Sequence, residues 1–243
     1  MNVSIIGFGR LGKLAAKNLA KDTHLSVFDP SANPKEIEKM GAKAVTLKEA
    51  CQSQIVIPMV PISALQDLLK EMSPLLAKET LVADVCSVKT LPLKWMEEIL
   101  PSHVSILGTH PMFGPDSAKK SLYGHKIVLC PRRIAPEKIK DITFYLESHG
   151  LKVIQVSAEE HDKQVSKSLL LTHFIGRTLI DFDASELTID TKGYRRLMKI
   201  LETVENDTWQ LFEDMNKYNP FAKEIRDRFI QSVNEIHQKV DLK

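Results

Sequence analysis

The segment "SIIGFGRLGKLAAKNLA" carries Gly7, Gly9 and Gly12 in GxGxxG spacing, directly after a β-branched run and directly before a helical pattern. No other stretch constrains the fold as tightly. In that context the first glycine makes a tight turn, the second lets backbone approach a pyrophosphate, and the third lets the helix pack closely on the strand. The helix N-terminus favours the anion. The spacing predicts a dinucleotide site formed by Gly7, Gly9, Arg10, Leu11 and Gly12. A tight turn that holds no ligand is the plainer alternative.

The next strand pattern, "HLSVFDP", ends in Asp29, near the distance expected for an acid that binds an adenosine ribose 2′-hydroxyl. A carboxylate there repels a 2′-phosphate, and no Arg or Lys follows until Lys35. NAD is therefore the expected cofactor, with NADP left open because Arg10 lies inside the glycine loop. The alternative for Asp29 is a turn residue before Pro30.

From Met1 to about Val156, short apolar runs alternate with amphipathic stretches: "NVSIIG", "HLSVFD", "KAVT", "SQIVIPM", "TLVADV", "VSILGTH", "HKIVLCP" and "LKVIQV". Such alternation argues for βαβ units in a mostly parallel sheet covered on both faces. After Ser157 strand signals nearly vanish and helical spacing takes over, with Ser157 and Glu160 in capping-box spacing and Pro220 placed to open the last helix. The expected fold class is α/β: a Rossmann-type dinucleotide-binding domain over residues 1–156, then an all-α domain over 157–243.

With 243 residues and 43% hydrophobic content the chain can bury a sizeable core. Its 33 Lys and Arg against 31 Asp and Glu form no long block of one sign, so nucleic acid is not an expected partner. No apolar stretch approaches the roughly 20 residues that span a bilayer. The N-terminus lacks a signal-peptide pattern, which makes a cytoplasmic location the expectation. Cys51, Cys86 and Cys130 are far apart and without ligand spacing, so they read as reduced packing residues, and no metal site is expected.

Ligands of open α/β sheets bind at the carboxyl ends of the strands. Three patches fall there. "IVIPMVP" ends the fourth strand and brings Val60 and Pro61 to the cofactor; "VADVCSVK" ends the fifth and "ILGTHPMFGP" the sixth. His110 then stands beside the redox carbon in a loop that Pro111 and Pro115 hold. Ser87 becomes a hydroxyl partner, although a helix cap or turn is the commoner use of serine.

"GFGRLG", "DVCSVK", "THPMFGP", "EEHD" and "THFIGR", in this order, resemble the TyrA family of prephenate and arogenate dehydrogenases, and "DTKGYRRLMKILETVENDTW" is similar to the plant-type arogenate branch. The resemblance implies oxidative decarboxylation of a cyclohexadienol. Ring C4 gives hydride to the nicotinamide, its hydroxyl loses a proton, and the ring carboxylate leaves as CO2. It assigns His110 as proton acceptor and Ser87 as its partner at the C4 hydroxyl. His173 matches a histidine near a substrate carboxylate, with Arg177 one turn further on. Thr191 and Lys192 match a TKGY loop that reaches an active site, and Asp207 falls at an acidic position of the arogenate-specific forms. His161 and Asp162 read as structural, with Asp162 at a helix N-terminus, while Trp209 and Phe212 read as core.

Lys199 stands where the bacterial branch carries an arginine, and Leu169 where plant-type relatives carry a polar residue; both are departures. Arogenate is the expected substrate and prephenate, giving 4-hydroxyphenylpyruvate, the alternative. A hydroxy-acid dehydrogenase using Lys163 or Lys167, and a non-catalytic nucleotide-sensing regulator, are the competing readings. The helical domain is too small to bury all its amphipathic faces, which predicts a homodimer through it.

Overall fold

The computed structural model describes residues 1–241, which form two compact units, Met1–His161 and a second beginning at Asp162. Each of the eight apolar runs forms a strand: β1 (Asn2–Ile6), β2 (His24–Phe28), β3 (Lys43–Ala44), β4 (Ile55–Pro58), β5 (Leu81–Asp84), β6 (Ser105–Pro111), β7 (Lys126–Arg133) and β8 (Lys152–Gln155). They lie in one sheet in the order β3-β2-β1-β4-β5-β6-β7-β8. The first six follow the doubly wound dinucleotide-binding order. All pairings are parallel except β6 with β7.

Helices α1 (Arg10–Leu19), α2 (Pro34–Lys39), α3 (Leu47–Ala50), α4 (Ile62–Met72), α5 (Thr90–Ile99) and α6 (Pro136–Ser148) connect the strands. Every residue of β5 is buried, as are Val3 to Ile6 of β1, which is why these strands read as unbroken apolar runs. Val3, Ile5, Phe8, Leu25, Val27 and Ile37 form one core cluster; Leu81, Leu107, Ile127, Leu129 and Ile139 belong to another.

Strand β6 outruns its parallel neighbour. Its last pairing with β5 is Gly108 opposite Asp84, and beyond it Thr109, His110 and Pro111 pair only with Leu129, Val128 and Ile127 of β7. His110 therefore sits in a strand, not in the proline-held loop expected from the sequence. The antiparallel ladder fixes its backbone.

The second half is helical as expected. Helix α7 (Ala158–Val165) opens at Ser157, whose Oγ accepts from the Glu160 N–H at 3.1 Å. It passes through a π-helical stretch, Ser166–Leu170, into α8 (Leu171–Asp181). Such π segments appear frequently at functional sites. The unit boundary falls inside α7, five residues beyond Val156, because the first turn and His161 cluster with the sheet.

Helices α9 (Lys192–Val204), α10 (Trp209–Tyr218) and α11 (Ala222–Asp241) complete the second unit. Gly176 lets α8 and α9 approach closely: a Cβ there would press on the side chains of Val204 and Ile200. Asn219, not Pro220, organises the start of α11, its Oδ1 accepting from the Phe221 N–H at 2.9 Å.

Candidate active site

The glycine turn is built as its spacing predicts. Gly7 has φ of +107°, and a Cβ on it would run into the Met59 carbonyl, with Val60 Cγ1 at 3.4 Å. A Cβ on Gly12 would strike the Gly7 carbonyl, so the third glycine is required by the close approach of α1 to the turn. Gly9 differs, since nothing lies within 4 Å of the position its Cβ would take. That open space stands at the N-terminus of α1, whose first turn has no side-chain cap and no acidic residue. A pyrophosphate fits there on both steric and electrostatic grounds.

Asp29, at the end of β2, accepts from the Phe8 N–H at 2.7 Å and from the Ser31 N–H at 2.8 Å, one on each carboxylate oxygen. The turn role and the ribose role are thus compatible, because each oxygen keeps a further lone pair. Arg10 is engaged with Asp116, its Nη2 lying 2.7 and 2.6 Å from the two oxygens. Leu11 is half-buried in the first turn of α1, and Pro61 is exposed where it caps α4.

At the ends of β5 and β6 lies a buried polar cluster. His110 is 5% exposed, and its Nδ1 lies 2.8 Å from Nε2 of His161, itself 3% exposed. The rings meet edge to face with centroids 5.0 Å apart. Burial, then the neighbouring His161 and Lys89, hold the His110 imidazole well below the usual histidine range. A base that is uncharged across the neutral range follows from this. Ser87 Oγ is buried and has no hydrogen-bond partner among the described residues. A buried hydroxyl left unpaired is unusual and leaves a hydrogen bond for a partner outside the protein's own side chains.

Beneath this cluster Lys89 has no exposed side-chain surface; its Nζ donates to Asp84 Oδ2 and to the Thr109 carbonyl, the latter at 2.6 Å. Thr109 Oγ1 in turn donates to the Asp84 carbonyl at 2.6 Å. The sequence flagged neither Asp84 nor Lys89, although both stand in "DVCSVK". The available signal was an acid and a lysine bracketing an otherwise apolar stretch, since charges enter a core only in pairs.

In the second unit His173 is buried at 3%, with Nε2 at 3.6 Å from Asp207 Oδ2. Arg177 Nη2 donates to the Asp207 carbonyl, and its guanidinium lies over the Trp209 ring, 5.6 Å from the centroid. Two further nitrogens, His173 Nδ1 and Arg177 Nε, are buried and unpartnered among the described residues. Burial lowers the His173 pKa, opposed by Asp207 and assisted by Arg177. The structure therefore brings His173, Arg177 and Asp207 together.

Other expectations are corrected. Thr191 and Lys192 do not form a loop: Thr191 caps α9, its Oγ1 accepting from the Tyr194 N–H at 3.1 Å, and Lys192 opens the helix exposed. Threonine is a favoured helix N-cap, and here that local preference sets the start of α9 at the position the family loop was expected to occupy. Asp162 is not at a helix N-terminus but fully buried past the first turn of α7, its carbonyl accepting from Asn219 Nδ2 at 3.0 Å. Trp209 is 56% exposed, not core, because it occupies the first position of α10 and turns its indole N–H to Glu213 at 2.8 Å. His161 faces His110 instead of serving only as a helix residue. The three cysteines are free and buried, and burial pushes the Cys51 thiol up to about 11.

A doubly wound sheet that opens on a glycine turn and ends on a buried imidazole, followed by a helical unit, defines a nucleotide-binding domain of the Rossmann class. Residues 16–155 match the family model of the prephenate dehydrogenase nucleotide-binding domain, and residues 178–243 match that of the TYRAAT1-like C-terminal domain. The chain belongs to the prephenate dehydrogenase family. It is 29% identical over 250 residues to arogenate dehydrogenase 2, chloroplastic, of Arabidopsis thaliana, which covers 99% of this chain and 70% of that protein. It is 31% identical to a probable arogenate/prephenate dehydrogenase of Methanocaldococcus jannaschii, over 99% of this chain and 57% of that protein. The prephenate dehydrogenase of Aquifex aeolicus, solved with hydroxyphenyl propionate and NAD+, shares the fold with a TM-score of 0.78 at 21% identity, covering 99% of this chain and 90% of that one. Among the described residues no helix is long and apolar enough to cross a membrane.

Proposed function

We propose that this chain catalyses the NAD-dependent oxidative decarboxylation of arogenate to tyrosine, with prephenate as the alternative substrate. The observation that carries the reading is His110: a buried imidazole kept uncharged by its surroundings, with Nδ1 engaged by His161 and Nε2 left to meet a hydroxyl. A neutral imidazole is a competent acceptor for a proton lost as hydride leaves the same carbon. Ser87 Oγ, buried and unpaired, supplies a second hydrogen bond to that hydroxyl. The dinucleotide, when bound, supplies the hydride acceptor. Gly7, Gly9, Arg10, Leu11 and Gly12, with Val60 and Pro61, are the residues we assign to hold it, and Asp29 its ribose. Asp29 favours NAD over NADP, and Arg10 is engaged by Asp116.

In the second unit His173 and Arg177 are assigned to substrate carboxylate, each retaining a buried nitrogen without a partner among the described residues. Asp207 is 28% exposed and carries the carboxylate that suits an ammonium, which arogenate has and prephenate lacks. Thr191 and Lys192 remain assigned to substrate binding. We further infer a homodimer through the second unit. Ile230, Val233, Ile236 and Val240 form an exposed stripe at helical spacing on α11, and Phe182 and Ile189 are exposed beside the loop before α9.

Steady-state kinetics with each substrate and each of NAD and NADP tests the reading. The expected result is turnover of arogenate with NAD, release of CO2, and loss of turnover by orders of magnitude in His110→Asn with NAD affinity nearly unchanged. Normal turnover in that variant overturns the assignment.

A further inference from the structure

His161 is absorbed by none of the roles above. It is 51 residues from His110 in sequence, buried at 3%, and its Nε2 is 2.8 Å from His110 Nδ1. At that separation one nitrogen carries a proton and the other accepts it. If His161 were the donor, His110 would hold its own proton on Nε2 and could not act as a base there. If His110 Nδ1 is the donor, Nε2 carries the lone pair. Only the second arrangement is productive.

We propose that His161 is the positioning partner of His110: it holds His110 in the Nδ1–H tautomer and accepts that proton as His110 Nε2 takes one from the substrate hydroxyl. The step balances within the pair. The hydroxyl proton goes to His110 Nε2, the Nδ1 proton crosses to His161 Nε2, and the positive charge comes to rest on His161 with His110 again neutral. As the ring carboxylate leaves as CO2 the ring oxygen becomes a phenolate, the proton returns through the same bond, and His110 Nε2 gives it back to that oxygen to complete the phenol. The hydride and its electron pair leave separately to the dinucleotide, as in the proposed reaction on which this inference rests.

The surroundings exclude a doubly charged pair. Two imidazolium rings cannot stand 2.8 Å apart in a buried site, and a third positive charge is already present on Lys89, matched by Asp84. The groups that act on the His110 imidazole are His161 from α7 and Lys89 from the start of α5, the latter paired with Asp84. A neutral partner also avoids the desolvation cost that a second buried carboxylate would carry. His161 is delivered by the first turns of α7, which cluster with the sheet and not with the helices that follow.

The test combines spectroscopy on the whole chain with kinetics. Side-chain 15N spectra of histidine-labelled protein, assigned with His110→Asn, report the His110 tautomer without substrate or cofactor. The expected result is the Nδ1–H form between pH 6 and 8 in the wild type. His161→Leu should revert His110 to the Nε2–H form that an unpaired histidine side chain prefers. It should also lower kcat on the order of 10²-fold, the lower end of what a positioned base contributes, with KM values within about threefold. His161→Gln, whose carbonyl accepts from Nδ1–H but cannot take the proton, should keep the tautomer and lose an intermediate share of kcat.

An Nε2–H form in the wild-type spectrum overturns the proposal, and so does an unchanged kcat in His161→Leu. Should His161→Leu fail to fold, the wild-type spectrum and His161→Gln decide. An Nδ1–H wild type that turns over neither substrate leaves the pairing standing and overturns the proposed reaction instead.

Discussion

Lys89 Nζ donates to the backbone carbonyl of Thr109 at 2.6 Å, tying the start of α5 to the residue immediately before His110. The same ammonium pairs with Asp84, and neither side chain has any exposed surface. Removing the lysine leaves a buried carboxylate without its counter-ion, which costs about 3–5 kcal/mol. Lys89→Met should therefore lower the urea midpoint by that equivalent, and Asp84→Asn combined with it should recover part of the loss. A change below about 1 kcal/mol would mean that water reaches Asp84.

The glycines of the turn are separable. Gly9→Ala places a methyl in open space and should leave the melting temperature within about 2 °C. It should weaken NAD binding at least tenfold, because the methyl occupies the place proposed for the pyrophosphate. Gly7→Ala should destabilise the fold by more than about 1 kcal/mol, since φ is +107° and the Met59 carbonyl blocks the methyl. Cofactor titration and thermal unfolding distinguish the two.

Asp207→Asn tests the substrate. Losing a charge-assisted bond to an ammonium is worth about 1.5–3 kcal/mol, so kcat/KM for arogenate should fall roughly 10- to 150-fold relative to prephenate. The same change removes the interaction that opposes the lowering of the His173 pKa, so that histidine should titrate lower still. Equal losses for both substrates would assign Asp207 to orienting His173 alone.

His149 offers a pH signature away from the site. Its hydrogen bond to the Tyr145 carbonyl, and more weakly Asp22 at 2.7 Å, raise its pKa against the opposing effect of burial. A raised folded-state pKa contributes stability that is fully present below about pH 6.5 and is lost as pH rises through the folded value. The pair is partly exposed, so the gain is about 1 kcal/mol or less. Asp22→Asn should flatten the stability profile just above pH 6.5, and an unchanged profile would assign the shift to the backbone bond.

The apolar stripe of α11 predicts association. Light scattering should give twice the chain mass of 27.4 kDa, and Val233→Glu with Ile236→Glu should reduce it to the monomer without unfolding α11. A wild-type mass of 27.4 kDa at micromolar concentration would contradict the dimer.

The sequence alone determined the glycine turn, the eight strands, the helical second half and the family likeness. Each depends on residues a few positions apart: β-branched runs, 3.6-residue spacing, and glycines at a fixed offset from a strand. Thr191 shows the limit of such reading, because "TKGY" looked like a loop until the threonine was found capping α9. Trp209 shows another, since it read as core and its place at the first position of α10 left it exposed. Only the tertiary structure decided that His161 meets His110, that Lys89 is buried on Asp84 beneath Thr109, and that Asp207 lies against His173. The His161–His110 and Asp207–His173 pairs join residues far apart in the chain, and no local pattern records their approach. Their geometry is fixed by how the sheet and the helices pack, and the chemistry of the site follows from that packing.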